Sequence, residues 1–332
     1  MKTVRVHKPG GPEQLVVEEP EQAGGPGQAG EPERKAPEAG HVLVRHAAVG
    51  VNFIDVYYRD GSYASELPFV PGQEAAGTVL ATGEGVSGFA AGDTVAYATH
   101  RGAYAQTAAV PAGKLVPVPG GVTARDAAAV LLQGLAAHYL THDTHPVGAG
   151  ETVVVLAAAG GLGRLLVQLA AHRGATVIAV VSSDEKEKVA REAGARHTLR
   201  YAGFAERVRE LTGGAGARVV YDSVGADTFG DSLGALGPRG MLVLCGASSG
   251  PVPPLDTGAL RAGGSLYVTR PKLADHVRDS AALRSRAAEV FALCAAGALR
   301  PLISRELPLE GAAEAHRLLE ARSTTGKLLL LP

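Results

Sequence analysis

The chain has 332 residues, of which 46% are hydrophobic and 20% charged, so it buries a large core without staples and fits two domains. Its 32 basic and 33 acidic residues leave a formal net charge of -1, which gives no electrostatic drive toward nucleic acid or an anionic membrane. Met1–Val6 lacks a signal-peptide apolar core, and no apolar run approaches the roughly 20 residues of a bilayer span, so the expected location is the cytoplasm.

In chain order, Thr3–Val6 and Gln14–Glu18 read as strands. Glu21–Gly40, rich in Gly, Pro, Glu, Gln and Ala, reads as a surface loop. Four short apolar segments broken by turn residues follow, His41–Val49, Ala75–Thr82, Asp93–Ala98 and Ala103–Val110, which predict an all-β, barrel-like domain. After Thr123 the pattern changes. Ala124–His142 is Ala/Leu-rich and helical, and from Thr152 strands alternate with helices. The predicted strands are Thr152–Leu156, Thr176–Val181, one ending near Tyr201, Arg218–Asp222, Met241–Cys245 and Ser265–Thr269. Between them lie helices at Leu162–Arg173, Asp184–Ala193, Phe204–Leu211 and Asp227–Leu236. The alternation means a doubly wound, mainly parallel sheet. A helix at Ala281–Ala296 and a strand at Gly326–Leu330 complete the chain and are expected to return to the first domain.

Cys245 and Cys294 both fall in apolar segments and read as buried, reduced thiols; two cysteines do not build a four-thiolate zinc site. His138, His142 and His145 share a helical face but do not read as metal ligands, and no metal is expected.

The strongest motif is Ala157-Ala158-Ala159-Gly160-Gly161-Leu162-Gly163, placed between a strand and a helix. It matches the dinucleotide fingerprint, with Ala158 in the first glycine position. Gly160 and Gly161 let backbone approach a diphosphate, Gly163 lets the helix pack on the strand, and the helix N-terminus offers N–H groups and partial positive charge. An NAD site puts a carboxylate at the end of the next strand. Here the chain reads Val181-Ser182-Ser183-Asp184-Glu185-Lys186. Ser182 and Ser183 can donate to a 2′-phosphate and Lys186 supplies charge, so the expected cofactor is NADPH. Asp184 is read as the helix N-cap.

The segments Gly50–Asp55, Pro71–Gly77, Ala157–Gly163, Val220–Gly225 and Gly264–Pro271 together resemble the zeta-crystallin-like NADPH:quinone oxidoreductases, the zinc-free branch of the medium-chain dehydrogenase/reductase superfamily. The resemblance runs along nearly the whole chain apart from Glu21–Gly40. It implies an α/β protein with a GroES-like β-barrel catalytic domain (residues 1–126), a Rossmann domain (127–268), a return to the first domain (269–332), and a homodimer. It implies that Asn52, Phe53 and Tyr57 line an interdomain cleft near the nicotinamide, Asn52 and Tyr57 as the catalytic pair. Tyr139 is implied as a cofactor contact at the domain junction. Ser182, Lys186 and Tyr201 match the adenosine-phosphate pocket, and Ser223, Gly246, Ser248, Val268, Arg270 and Arg322 match further cofactor contacts. Zinc-dependent relatives carry Gly-His-Glu and an upstream cysteine; this chain has Gly72-Gln73-Glu74 and no cysteine before Cys245. Without zinc, alcohol oxidation is implausible, whereas hydride delivery to an electron-poor acceptor requires mainly positioning.

Tyr57, Tyr58 and Tyr63 read as an aromatic group in the loop after Asn52. Tyr57 and Tyr63 lean to the substrate side, and Tyr58 is open between packing and stacking. The Gln133 amide is a further substrate-side candidate. Asp55 and Glu74 read as structural groups, and Lys327 as a snorkelling surface lysine. The expected activity is hydride transfer from NADPH to a quinone. Reduction of an enone or enal C=C bond, or a low-turnover NADPH-binding sensor or structural role, are the alternatives. No basic stripe points to RNA.

Overall fold

The computed structural model describes residues 1–19 and 36–332. The surface-loop reading of Glu21–Gly40 therefore falls, as far as residue 35, outside the described residues. The chain forms two compact units, one of Met1–Leu132, Asp279–Phe291 and Ile303–Pro332, the other of Gln133–Arg278 and Ala292–Leu302. The C-terminal return thus begins at Asp279 and is broken by an excursion, 292–302, that belongs to the second unit.

The strands of the first unit are β1 (Thr3–Arg5), β2 (Val16–Glu18), β3 (His41–Val51), β4 (Glu74–Thr82), β5 (Thr94–Tyr97), β6 (Thr107–Pro111) and β7 (Leu115–Pro117). Between β3 and β4 sits a short helix, α1 (Phe53–Arg59), and α2 (Ala124–Tyr139) follows β7. Tyr57 and Tyr58 are therefore helical, not in a loop; a seven-residue helix is too short to show periodicity. In β3 burial alternates from His41 to Ala47, as in a sheet with one wet face. From Ala48 to Val51 burial is continuous, because α2 covers the second face: a Cβ on Gly50 would stand 2.6 Å from the Ala128 carbonyl oxygen. Val42, Val44, Val49 and Val51 enter one core with Tyr97, Tyr104, Leu328 and Leu330. His46 is buried in that sheet. Its Nδ1–H donates to Ala105 O (2.7 Å), its Nε2 accepts from the Tyr97 hydroxyl (3.0 Å), and burial lowers its pKa to about 4.

The second unit holds strands β8 (Thr152–Leu156), β9 (Thr176–Val180), β10 (His197–Leu199), β11 (Ala217–Asp222), β12 (Leu236–Leu244) and β13 (Tyr267–Thr269). They pair in the order β10-β9-β8-β11-β12-β13, all parallel, with α3 (Gly161–His172), α4 (Asp184–Glu192), α5 (Phe204–Leu211) and α6 (Phe229–Gly234) between them. This is the 3-2-1-4-5-6 order of a dinucleotide-binding sheet, whose topological switch lies between β8 and β11. Val153–Leu156 are all buried, as a central strand covered on both faces requires.

Short helices α7 (Thr257–Ala262) and α8 (Leu273–His276) precede α9 (Ser280–Ala295). The first unit's sheet is completed by β14 (Ile303–Pro308), which is parallel to its neighbour β15 (Lys327–Leu331), with α10 (Ala312–Glu320) between them; β15 then runs antiparallel to β3. Neither β14 nor α10 was expected. Cys245 and Cys294 form no disulfide, and both are half-buried rather than buried. Among the described residues no helix is long and apolar enough to cross a membrane.

Candidate active site

In the second unit the glycine turn joins β8 to α3. Ala157 enters it in the left-handed region (φ 49°), a strained conformation for alanine, and its N–H donates to the Tyr201 hydroxyl (3.2 Å). Gly160 is the N-cap of α3. A Cβ on Gly163 would lie 2.3 Å from the Ala157 carbonyl oxygen, so only glycine lets the helix approach the turn this closely. A Cβ on Gly161 would lie 2.2 Å from Gln133 Oε1, which places the Gln133 amide against the glycine turn. Over Gly160 a Cβ would meet one neighbour within 4 Å, the Ala157 oxygen at 3.2 Å. That open cradle, beside first-turn N–H groups without intrahelical acceptors, including that of Leu162, fits a diphosphate.

At the carboxyl end of β9, Lys186 Nζ donates to Ser182 Oγ (3.0 Å). Ser183, not Asp184, caps α4, its hydroxyl accepting from Lys186 N (3.3 Å). The carboxylate of Asp184 instead pairs with Arg200, whose Nη1 donates to Ser183 O (2.8 Å). Arg200 is a member of this cluster that sequence reading missed. It stands beside Tyr201 after β10, and only the parallel pairing of β10 with β9 brings it here. With two serines and two cations, and with the Asp184 carboxylate drawn onto Arg200, the cluster fits a 2′-phosphate.

Ser223, Gly246 and Ser248 gather at the ends of β11 and β12. Ser248 N donates to Ser223 O (3.3 Å), and a Cβ on Gly246 would lie 2.6 Å from the same oxygen. Val268 pairs with Leu242 inside the sheet and packs against the core, and Arg270 is exposed just beyond β13. Tyr139 is buried and stacked on His276 (centroids 4.1 Å, 13°), and burial raises its hydroxyl pKa. Just beyond it Leu140–Thr144 forms a π-helical turn, and Asp143 Oδ2 in that turn holds His276 Nδ1 at 3.0 Å. Arg322 belongs to the first unit, past α10 in a left-handed conformation (φ 52°).

In the first unit, the rings of Phe53, Tyr57 and Tyr63 form a chain with centroids 5.2 Å apart at each step, and Tyr58 meets Tyr63 edge-on at 5.6 Å. These spacings are those of tilted aromatic pairs. Arg59 clamps the far end of α1 by a bidentate pair with Glu320 (3.0 and 2.6 Å). At the near end, Asn52 is only 3% exposed. Its Nδ2 donates to Gly50 O (3.2 Å) and Glu74 Oε2 (2.9 Å), and its Oδ1 accepts from Lys327 Nζ (2.7 Å). Lys327 also donates to Glu74 Oε2 (2.5 Å) and is 1% exposed, so it is a buried partner of Glu74 and not a snorkelling surface residue. The other Glu74 oxygen accepts from Leu132 N (2.6 Å). Asp55 accepts from Asn52 N (3.0 Å) and the Tyr104 hydroxyl (3.2 Å), and burial pushes its pKa up to about 7.

The donor set does not fit a zinc ion. Gln73 offers an amide where an imidazole would be needed, and Glu74 is committed to Lys327, Asn52 and Leu132. Among the described residues no three His, Cys, Asp or Glu side chains converge to hold a metal. His138 stacks on His142 (3.9 Å, 9°), while His145 bonds Glu151 (2.9 Å).

A GroES-like alcohol dehydrogenase model matches residues 38–120, and a zinc-binding dehydrogenase model matches residues 161–283. Together with the two units they define the class, a medium-chain dehydrogenase/reductase. A quinone oxidoreductase of Pseudomonas aeruginosa is 46% identical over 295 residues, covering 88% of this chain and 91% of its own. A 2-haloacrylate reductase of Burkholderia sp is 41% identical over 337 residues, covering 98% of each. A mycobacterial protein solved in complex with NADPH superposes at a TM-score of 0.93, with 44% identity and all of both chains covered. The chain belongs to the quinone oxidoreductase family of that superfamily.

Proposed function

We propose that this protein reduces quinones with NADPH by hydride transfer, without zinc. The observation that carries the reading is the Ser182–Lys186 pair at the end of β9, which answers a 2′-phosphate where an NAD site presents a carboxylate. The NADPH-bound relative and the quinone oxidoreductase relative support it.

NADPH supplies a hydride from its nicotinamide ring. The glycine turn cradles the diphosphate, Ser182, Ser183, Lys186 and Tyr201 bind the adenosine phosphate, and Tyr139, Ser223, Gly246, Ser248, Val268, Arg270 and Arg322 complete the cofactor contacts. Phe53, Tyr57 and Tyr63 offer aromatic faces to a planar acceptor. Asn52 contributes by holding the start of α1, since its amide is committed to Gly50, Glu74 and Lys327. No buried histidine is needed as a general base, because the hydroquinone anion left by hydride transfer takes its one remaining proton from water. The reading carries with it a cytoplasmic homodimer. The full-length likeness to the 2-haloacrylate reductase favours a second reading, reduction of an activated C=C bond on the same scaffold. NADPH consumption measured with and without 1,4-naphthoquinone tests the enzymatic reading; no consumption in either case would leave only a binding protein.

A further inference from the structure

The chain contains a single asparagine, Asn52, and it is buried against a buried ion pair. Charges removed from water are tolerated only when paired and hydrogen-bonded. Lys327 and Glu74, 1% and 0% exposed, meet both conditions at 2.5 Å. The pair also does something a pair of leucines would not. Lysine only donates and a carboxylate only accepts, so together they admit one orientation of the Asn52 amide, with Oδ1 toward Lys327 and Nδ2 toward Glu74. An N-cap side chain ordinarily turns inward to its own helix. Here it is also tied to β4 through Glu74 and to β15 through Lys327, while its backbone N–H is held by Asp55. Gly50 leaves room for this: a Cβ there would lie 2.3 Å from Glu74 Oε2. The residue anchored so tightly is the one immediately before Phe53.

We propose that Lys327 is a positioning residue that, through Glu74 and Asn52, fixes the first turn of α1 and with it the rings of Phe53 and Tyr57. The importance of those rings for turnover rests on the quinone reductase reading; the anchoring does not. Misplacing a reactive group by about 1 Å costs on the order of 100-fold in rate, so a loosened α1 lowers kcat while the cofactor turn, in the other unit, is untouched.

Two measurements test this. Protein labelled with ¹⁵N only at asparagine gives one side-chain NH₂ signal, and in the unaltered protein both of its protons should exchange with solvent slowly; fast exchange overturns the proposal without any variant. Lys327→Met alone leaves Glu74 unpaired, so the second measurement uses Glu74→Gln/Lys327→Met, which removes both charges. With its melting temperature compared to the parent, this variant should show amide exchange in residues 53–59 accelerated at least about tenfold. Its kcat with 1,4-naphthoquinone should fall by about 10- to 100-fold, with the dissociation constant for NADPH unchanged. Unchanged protection of α1, or full turnover despite a loosened α1, overturns the proposal. A parent protein inert toward every quinone, with α1 still loosened in the variant, would refute the quinone reading and leave the anchoring standing.

Discussion

Lys186 reaches Ser182 Oγ at 3.0 Å, and Arg200 lies across the same turn on Ser183 O. A hydrogen bond to a charged group is worth roughly 1.5–3 kcal/mol, or about 10- to 150-fold in affinity. Lys186→Ala is therefore expected to weaken NADPH binding by at least about tenfold and to leave NADH nearly unchanged, read by fluorescence titration of both. Equal weakening would show that Lys186 does not meet the 2′-phosphate. Tyr57→Phe keeps the ring and removes the hydroxyl, so turnover should fall by less than roughly tenfold, the worth of one neutral hydrogen bond. A fall nearer 100- to 10,000-fold, the range of a missing acid–base group, would make Tyr57 a proton donor and favour C=C reduction. The serines and lysine were legible because one short stretch of local sequence, 182–186, carries them. Arg200 was not, because its nearness to α4 comes from strand pairing. The cap was misassigned by one position because Ser183 and Asp184 are equally good capping residues, and Arg200 draws the aspartate away.

At the scale of elements, Gly161 and Gly163 predict different outcomes. A Cβ at 163 meets a backbone oxygen at 2.3 Å, which has nowhere to go, whereas at 161 it meets the end of the Gln133 side chain. Gly163→Ala should destabilise the protein by about 1–3 kcal/mol, the usual cost of overpacking, and abolish tight NADPH binding, while Gly161→Ala should fold normally; denaturant melts of both decide. A second prediction concerns β3. His46 is neutral in the folded protein, with a pKa lowered by burial from 6.5 to about 4. The unfolded chain binds that proton first, so the stability it contributes is complete above about pH 6.5 and is lost as pH falls toward 4. His316, lowered by burial to about 3, acts with the same sign. By pH 3 the His46 mismatch removes about 3 kcal/mol, and His46→Gln should flatten the limb between pH 6.5 and 4 in urea melts at a series of pH values. The parallel strands were legible from Val153–Leu156 and its counterparts, since burial on both faces leaves continuous apolar runs. β14 was not, because Ser304, Arg305 and Glu306 are exposed and break any apolar pattern.

For the whole molecule, the local motifs conveyed the order of the two kinds of domain, but not the long-range pairings that build the site. Lys327 and Glu74 are separated by 253 positions, and nothing near Lys327 in sequence distinguishes it from a surface lysine at a strand end. A preference for quinones as acceptors, with NADPH as donor, is what separates quinone reduction from C=C reduction on this scaffold. It is tested most directly by kcat/KM measured side by side for 1,4-naphthoquinone, an enone and 2-chloroacrylate, with NADPH and with NADH. The quinone should be the preferred acceptor, and NADPH should exceed NADH by at least about tenfold, as one charge-assisted contact to the 2′-phosphate implies. Turnover confined to the enone or the haloacrylate, or equal use of the two nucleotides, would contradict it.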